Sequence, residues 1–395
     1  MKTMDNYLPF ALPDIGQEEM DEVIDTLKSS WLTTGPRTAK FEQDFADYLG
    51  VPFALAVNSG TAGLHLALES VGIGPGDLVI TTPYTFTATA EVVRYLGADI
   101  LLADIDSHTF NINPREVENA VSRVGGDVTR IKAILPVHFA GQACDMAAIG
   151  SIAERIGCEV VEDAAHALPC TYRRKMIGSH GTATVFSFYV TKTLATGEGG
   201  MVTTDSKEIA DRIKVMRLHG INRDIWDRYT ANKPNWYYEV VAPGFKYNMP
   251  DLMAAIGIQQ LKKVETFQKR RARIADLYSQ AFQKLPLKTP PIADPDNIHA
   301  WQLYVIQLEL EKLKINRDQF IEKMADRGIG TSVHFIPLHL HPYWRDRYGY
   351  KPEDFPVALN CYKRAVSLPI YSKLTEGDVE RVVMEVTRVC EENSL

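Results

Sequence analysis

The feature that most constrains this chain is a series of short, continuously apolar runs in its first 220 residues, separated by helix-patterned stretches. FALAV (53–57), LVITT (78–82), LLAD (101–104), IKAILPV (131–137), EVVEDA (159–164), TVFSF (184–188) and GMVTT (200–204) read as strands. Helical patterns fill 61–71, 87–96, 113–123, 145–156 and 207–218. Strands that are apolar at nearly every position are buried on both faces, which predicts a mostly parallel sheet sandwiched by helices, an α/β fold. Such sheets gather their chemistry at the carboxyl ends of the strands.

The 395 residues exceed one ordinary domain. Residues 1–249 are expected to form a large α/β domain. Residues 250–285 contain no proline after Pro250, and Leu252, Ile256, Leu261, Val264 and Phe267 recur near helical spacing, which predicts a long connecting helix. Residues 286–395 offer a strand candidate at 301–310 and helices near 316–327 and 375–392, enough for a smaller α+β C-terminal domain.

Charge and cysteine content narrow the function. Forty-three basic against fifty acidic residues give a net charge of −7, so no global field draws nucleic acid, and no such partner is expected. Cys144, Cys158, Cys170, Cys361 and Cys390 are scattered and form no C-x-x-C, which argues against a disulfide framework and against a zinc or iron–sulfur site. His334, His339 and His341 match no standard metal-ligand spacing, and no metal is expected. The start, MKTMDNYLPF, lacks a continuous apolar segment, and no stretch approaches the roughly 20 apolar residues of a membrane span. A cytoplasmic protein without membrane contact is the expectation.

Three stretches carry chemistry. In SFYVTKTLATGEGGMV (187–202) a strand ends and Lys192 follows, placed for a Schiff base or a phosphate clamp; the bland alternative is a solvated loop lysine. In EVVEDAAHAL (159–168) Glu162 and Asp163 close a strand with His166 just beyond. Neighbouring strand side chains face opposite ways, so only one of the two carboxylates meets a given site; helix capping is the plainer use. In ALAVNSGTAGLHLALES (54–70) small residues turn a strand into a helix near Thr61, suited to a phosphate or simply to capping by Ser59 or Asn58. No G-K-[ST] or G-x-G-x-x-G is present there. Taken together, a phosphate cradle, a strand-end aspartate and a strand-end lysine meet the needs of pyridoxal 5′-phosphate. Phe86, in TPYTFTATAE (82–91), is suited to stack on its ring.

At this point the chain resembles the DegT/DnrJ/EryC1/StrS family of sugar aminotransferases, which have the aspartate-aminotransferase-like fold. The resemblance rests on the three stretches above together with WLTTGPRTAKFE (31–42), TPYTFTATAE, ADIDSHTFNINP (103–114), PVHFAGQACDM (136–146), GFKYNMPDLMAAIGIQQL (244–261) and GIGTSVHFIPLHLHPYW (328–344), nearly the whole length. It implies that Lys192 holds the cofactor and shuttles the proton, that Asp163 pairs with the pyridine nitrogen, and that His166 approaches the phenolate oxygen. It further implies that Phe86 stacks on the ring, that Thr61, Ala62 and Ser187 hold the phosphate, and that Asn248 reaches the phosphate of a neighbouring subunit, so that a homodimer shares its active sites. Tyr189 stands where a histidine is often found. The implied activity is transfer of an amino group, with L-glutamate as donor, to a keto sugar carried on a nucleotide. The alternatives are a dehydratase or lyase on the same scaffold, in some of which histidine replaces the lysine, and a non-catalytic regulator. GIGTSVHFIPLHLHPYW has no arginine before Arg345, which favours a sugar over a small keto acid unless Arg217 or Arg223 folds back to hold a carboxylate.

Overall fold

The computed structural model describes residues 7–222, 237–292 and 294–395. Seven strands, β1 (Phe53–Val57), β2 (Leu78–Thr81), β3 (Asp99–Leu102), β4 (Ile131–Leu135), β5 (Glu159–Asp163), β8 (Ala183–Ser187) and β9 (Gly200–Thr204), form one sheet in the order β1-β9-β8-β5-β4-β2-β3. Between β5 and β8 lies a small hairpin, β6 (Thr171–Tyr172) and β7 (Lys175–Met176). Only β9 runs against its neighbours; β8, β5, β4, β2 and β3 are parallel. The mostly parallel sheet expected from the apolar runs is therefore present, and the carboxyl ends of β5 and β8 lie along one edge.

Helices α3 (Gly60–Ser70), α4 (Ala88–Tyr95), α5 (Pro114–Arg123), α6 (Met146–Ile156) and α7 (Lys207–Met216) follow the strands as the pattern predicts. LLAD departs from expectation: the strand is Asp99–Leu102, and Asp104 instead accepts the amides of Val357 and Ala358, capping the helix Pro356–Arg364. Helices α1 (Gln17–Lys28) and α2 (Pro36–Leu49) precede the sheet and were not expected. Pro36 opens α2 as Pro114, Pro342 and Pro356 open other helices, at the first turn, where the missing N–H costs nothing.

The long helix runs over Asp251–Ala281. Its first half packs on α1 and α2 so closely that a Cβ at Gly257 would lie 2.6 Å from the Phe41 ring. Its second half buries Ile274, Ala275 and Tyr278 against a three-stranded antiparallel sheet of β10 (Leu287–Lys288), β11 (Tyr304–Leu308) and β12 (Ala365–Leu368). The closing helix Glu376–Glu392 covers the same core with Val379, Val382, Val386 and Val389. Removing a fully buried aromatic such as Phe320 from this core costs about 3–5 kcal/mol. No described helix is long and apolar enough to cross a membrane.

Candidate active site

A cavity of about 420 Å³ opens at the carboxyl edge of the large sheet, and Thr61, Phe86, Asp163, His166, Ser187 and Lys192 all line it. They come from the start of α3, the loop before α4, the ends of β5 and β8, and the segments that follow those ends. The sheet thus brings together residues up to 131 positions apart in sequence, from Thr61 to Lys192.

Asp163 and Glu162 divide as strand alternation requires, though neither caps a helix and both are buried. Glu162 faces away from the cavity, where Thr184 Oγ1 and the Gly181 amide donate to Oε1 at 2.7 Å and His138 Nε2 lies 2.9 Å from Oε2. The Cys144 amide donates to His138 Nδ1, so Nε2 is the ring nitrogen that donates to Glu162. Burial raises the Glu162 pKa, but the His138 and Thr184 bonds outweigh it and hold the carboxyl below its usual range. Asp163 faces the cavity. Its Oδ1 accepts from the Ala165 amide at 3.1 Å and its Oδ2 from the Thr89 hydroxyl at 2.8 Å. Burial is the largest influence and raises the Asp163 pKa, with both hydrogen bonds and the Lys192 charge acting against it. A carboxylate so placed is stabilised by any cation brought next to it.

Burial lowers the pKa of Lys192 to about 8, with Asp163 pulling the other way. The free amine, the form that attacks a carbonyl, is therefore accessible near neutral pH. His166 is buried and its pKa lies well below the usual value, chiefly through burial and then through the Lys192 charge. The Ala140 amide donates to His166 Nδ1 at 3.3 Å, which leaves Nε2 as the protonated donor. Phe335 stacks on His166 with centroids 5.9 Å apart and planes 19° off parallel. Phe86 is 61% exposed and lines the cavity, with its ring 6.2 Å from that of Phe335. His334 also lines the cavity, its Nδ1 2.9 Å from Ser367 Oγ, and burial lowers its pKa to about 4.

The turn Ser59-Gly60-Thr61 lies beside Ser187. A Cβ on Gly200 would sit 2.8 Å from the Ser59 carbonyl carbon and 2.9 Å from the Gly60 nitrogen, so glycine there is what lets β9 support the turn this closely. The result is a small hollow at the N-terminus of α3 with the Ser187 hydroxyl on its wall, chemically matched to a phosphate. With the buried Asp163 carboxylate and the Lys192 amine in the same cavity, the residues present fit pyridoxal phosphate.

Two expected residues lie elsewhere. Ala62 is not on the cavity wall, and its amide donates to Ser59 Oγ at 3.1 Å, capping α3. Asn248 also lies off the wall: its Nδ2 donates to Thr34 Oγ1 and its Oδ1 accepts from Lys246, both at 2.6 Å. Arg217 is buried, donating to the Ala56 carbonyl at 2.8 Å and paired with Glu42, which ties it away from the cavity. Arg223 lies outside the described residues. No described residue lining the cavity is an arginine. Thr89 and Gln302 belong to the site but were not anticipated. Thr89 had a signal, since TPYTFTATAE places Thr85 and Thr89 one helical turn apart at the mouth of a strand. Gln302 had none, for it lies 110 residues from Lys192.

A family model described as the DegT/DnrJ/EryC1/StrS aminotransferase family matches residues 13–387. Spore coat polysaccharide biosynthesis protein SpsC from Bacillus subtilis is 51% identical over 382 residues, covering 96% of each chain. Spr1654 from Streptococcus pneumoniae, assigned as a sugar aminotransferase and solved in its PLP form, superposes with a TM-score of 0.89 at 30% identity, covering 98% of this chain and 99% of that one. PseC from Helicobacter pylori, an aminotransferase involved in the biosynthesis of pseudoaminic acid, gives a TM-score of 0.89 at 26% identity over 98% of this chain and all of its own.

Proposed function

The chain belongs to the DegT/DnrJ/EryC1/StrS aminotransferase family, with pyridoxal phosphate as cofactor, and we propose that it transfers the amino group of L-glutamate to a keto sugar carried on a nucleotide. When bound, the cofactor supplies an aldehyde that condenses with amines and a ring that draws electrons from the substrate carbon. In this reading Lys192 Nζ, uncharged at mildly alkaline pH, would take the proton from the substrate carbon and return it to the carbon on the other side of the shared nitrogen. Asp163 keeps a proton on the ring nitrogen, its negative charge compensated by the cation it holds. His166 Nε2 donates to the phenolate oxygen, and Phe86 covers one face of the ring. Thr61 and Ser187 bind phosphate oxygens, joined by the Ala62 amide once it releases Ser59. Asn248 serves the phosphate of the partner subunit, so that the working unit is a homodimer. Residues 1–249, 250–285 and 286–395 are taken as its large domain, connecting helix and small domain.

The observation that carries the sugar acceptor is the cavity wall. Around Lys192 it presents Phe86, Tyr189, His334 and Phe335, with no arginine among the described lining residues. A small keto acid offers little beyond a carboxylate, which a bidentate guanidinium holds best, whereas a polyhydroxylated ring suits aromatic surface edged by histidine and backbone groups; the carboxylates of glutamate draw their cation from outside these lining residues. Single-turnover mixing with glutamate tests the donor. The protein should form 2-oxoglutarate in an amount equal to its sites, while Lys192→Ala forms almost none. Rapid turnover with other amino acids and none with glutamate overturns the donor assignment.

A further inference from the structure

The loop that carries Lys192, between β8 and β9, belongs to neither helix nor strand. Its internal ties gather at its two ends, where the Phe188 amide donates to the Gly199 carbonyl at 2.9 Å, the Thr196 amide to the Phe188 carbonyl at 2.9 Å and Thr196 Oγ1 to the Glu198 carbonyl at 2.7 Å, while beside the lysine the Lys192 amide donates to the Tyr189 carbonyl at 2.8 Å. A buried side chain from just before β11 grips it from outside. Gln302 Nε2 donates to the Thr191 carbonyl at 2.8 Å, and Gln302 Oε1 accepts from the Thr193 amide at 2.9 Å and from Thr193 Oγ1 at 3.1 Å. One amide group therefore bonds the peptide immediately before and immediately after the lysine.

The grip is itself anchored. Arg271, buried on the long helix, sends Nη1 to the carbonyls of Ile370 at 2.7 Å, Trp301 at 3.2 Å and Gln302 at 3.4 Å. Trp301 holds a φ of +50°, a left-handed conformation that a non-glycine residue keeps only where its surroundings enforce it. The Ala300 amide to the Gly141 carbonyl, at 2.9 Å, supplies a further tie. The corner at 301–302 is thus set by the long helix, by β12's following loop and by the loop after β4.

We propose that Gln302 is a positioning residue for Lys192, clamping the peptide on both sides of the reactive amine so that Nζ stays where it can reach the substrate carbon. The inference rests on the reading of Lys192 as the proton-transfer group. Its physical basis is that a displacement of about 1 Å in a catalytic group costs on the order of 100-fold in rate.

The decisive comparison separates a tethered amine from a free one. Gln302→Met keeps the side-chain length without its hydrogen bonds; Gln302→Glu keeps the acceptor for Thr193 and loses the donor to Thr191. Each is made in the holoenzyme and in Lys192→Ala, where methylamine in solution replaces the lysine. With Lys192 present, Gln302→Met should slow the single-turnover reaction with glutamate about 10–100-fold. With methylamine serving Lys192→Ala, the same change should cost less than about 2-fold, since a diffusing amine needs no clamp. In the apoprotein, hydrogen exchange at the Thr193 amide should rise at least about 10-fold as its partner is lost. Equal slowing in both backgrounds, or unchanged Thr193 exchange in Gln302→Met, overturns the proposal. Should Gln302→Met fail to fold, Gln302→Glu carries the same comparison through its lost Thr191 bond. Full activity of Lys192→Ala without methylamine would strike at the Lys192 reading instead, while Thr193 exchange still reports on the clamp.

Discussion

Thr89 donates its hydroxyl to Asp163 Oδ2 at 2.8 Å, and so must accept from Thr85, whose oxygen lies 2.7 Å away. A hydroxyl has one hydrogen to give, which fixes the direction of this relay. Thr85 immediately precedes Phe86, so the turn that presents the aromatic face to the cavity also delivers a donor to the buried carboxylate behind it. The exposed aromatic and the donor to the carboxylate thus come from one short segment that leads into α4.

Thr89→Val keeps the shape of that turn and removes the donor. A hydrogen bond to the ionised carboxylate favours ionisation, so its loss raises the Asp163 pKa further. Activity that needs the ionised form should then fail at a higher pH on the acid side, with kcat about 10-fold lower near neutrality. A kcat–pH profile superimposable on that of the wild type would remove Thr89 from this role.

Asp163→Asn should cut both half-reactions by on the order of 10²–10⁴, because a neutral amide cannot hold the ring nitrogen protonated. Folding should not suffer. Burial raises the Asp163 pKa, so the ionised carboxyl carries a cost in the apoprotein that is present above its folded pKa and fades as pH falls through it. The apoprotein of the variant should therefore melt no lower than the wild type at pH 7, and near-normal single-turnover spectra with glutamate would contradict the assigned role.

Lys192 gives a pH signature of opposite origin. Its pKa falls from 10.5 to about 8 in the fold, so charging it opposes folding. That penalty is complete below about pH 8, shrinks as pH rises, and vanishes above the unfolded value of 10.5. Apoprotein carrying Lys192→Met should be more stable than wild type at pH 7 by on the order of 1–3 kcal/mol, with the two curves meeting above pH 10. Denaturant titrations across that range decide it; a constant offset would mean the amine is not desolvated.

Sharing of the site between subunits is tested by complementation. Asn248 lies off the wall of its own chain's cavity, held by Thr34 and Lys246. Lys192→Ala mixed with Asn248→Ala, each impaired alone, should regain part of the activity, since one site in each heterodimer then has both residues intact. No recovery after proven subunit exchange counts against Asn248 acting in trans.

What the sequence disclosed follows from how locally each feature is encoded. Buried parallel strands are apolar throughout, so the sheet and the strand-end positions of Asp163 and Ser187 were legible, as was the long helix. LLAD misled by two residues because Asp104 serves a helix near Val357, a partner no local pattern reveals. Strand β11 begins later than the apolar run because Trp301 and Gln302 turn to meet Arg271 and the Lys192 loop. Helices α1 and α2 are amphipathic and lie outside the strand–helix alternation, each opening on a glycine N-cap without a side-chain cap, so only Pro36 marks a start in the sequence. The cavity lining that speaks to the acceptor is assembled from distant loops, and only the fold brings them together.

The central claim, that the acceptor is a keto sugar on a nucleotide, is met most directly by running the second half-reaction alone. Enzyme carrying its cofactor in the amine form, freed of glutamate, is mixed with single acceptors while the return of the aldehyde-form absorbance is followed. Keto sugars linked to nucleotides should restore that absorbance far faster than pyruvate or oxaloacetate at equal concentration. Faster recovery with the keto acids, across a panel of keto sugars generated in place, would contradict the account.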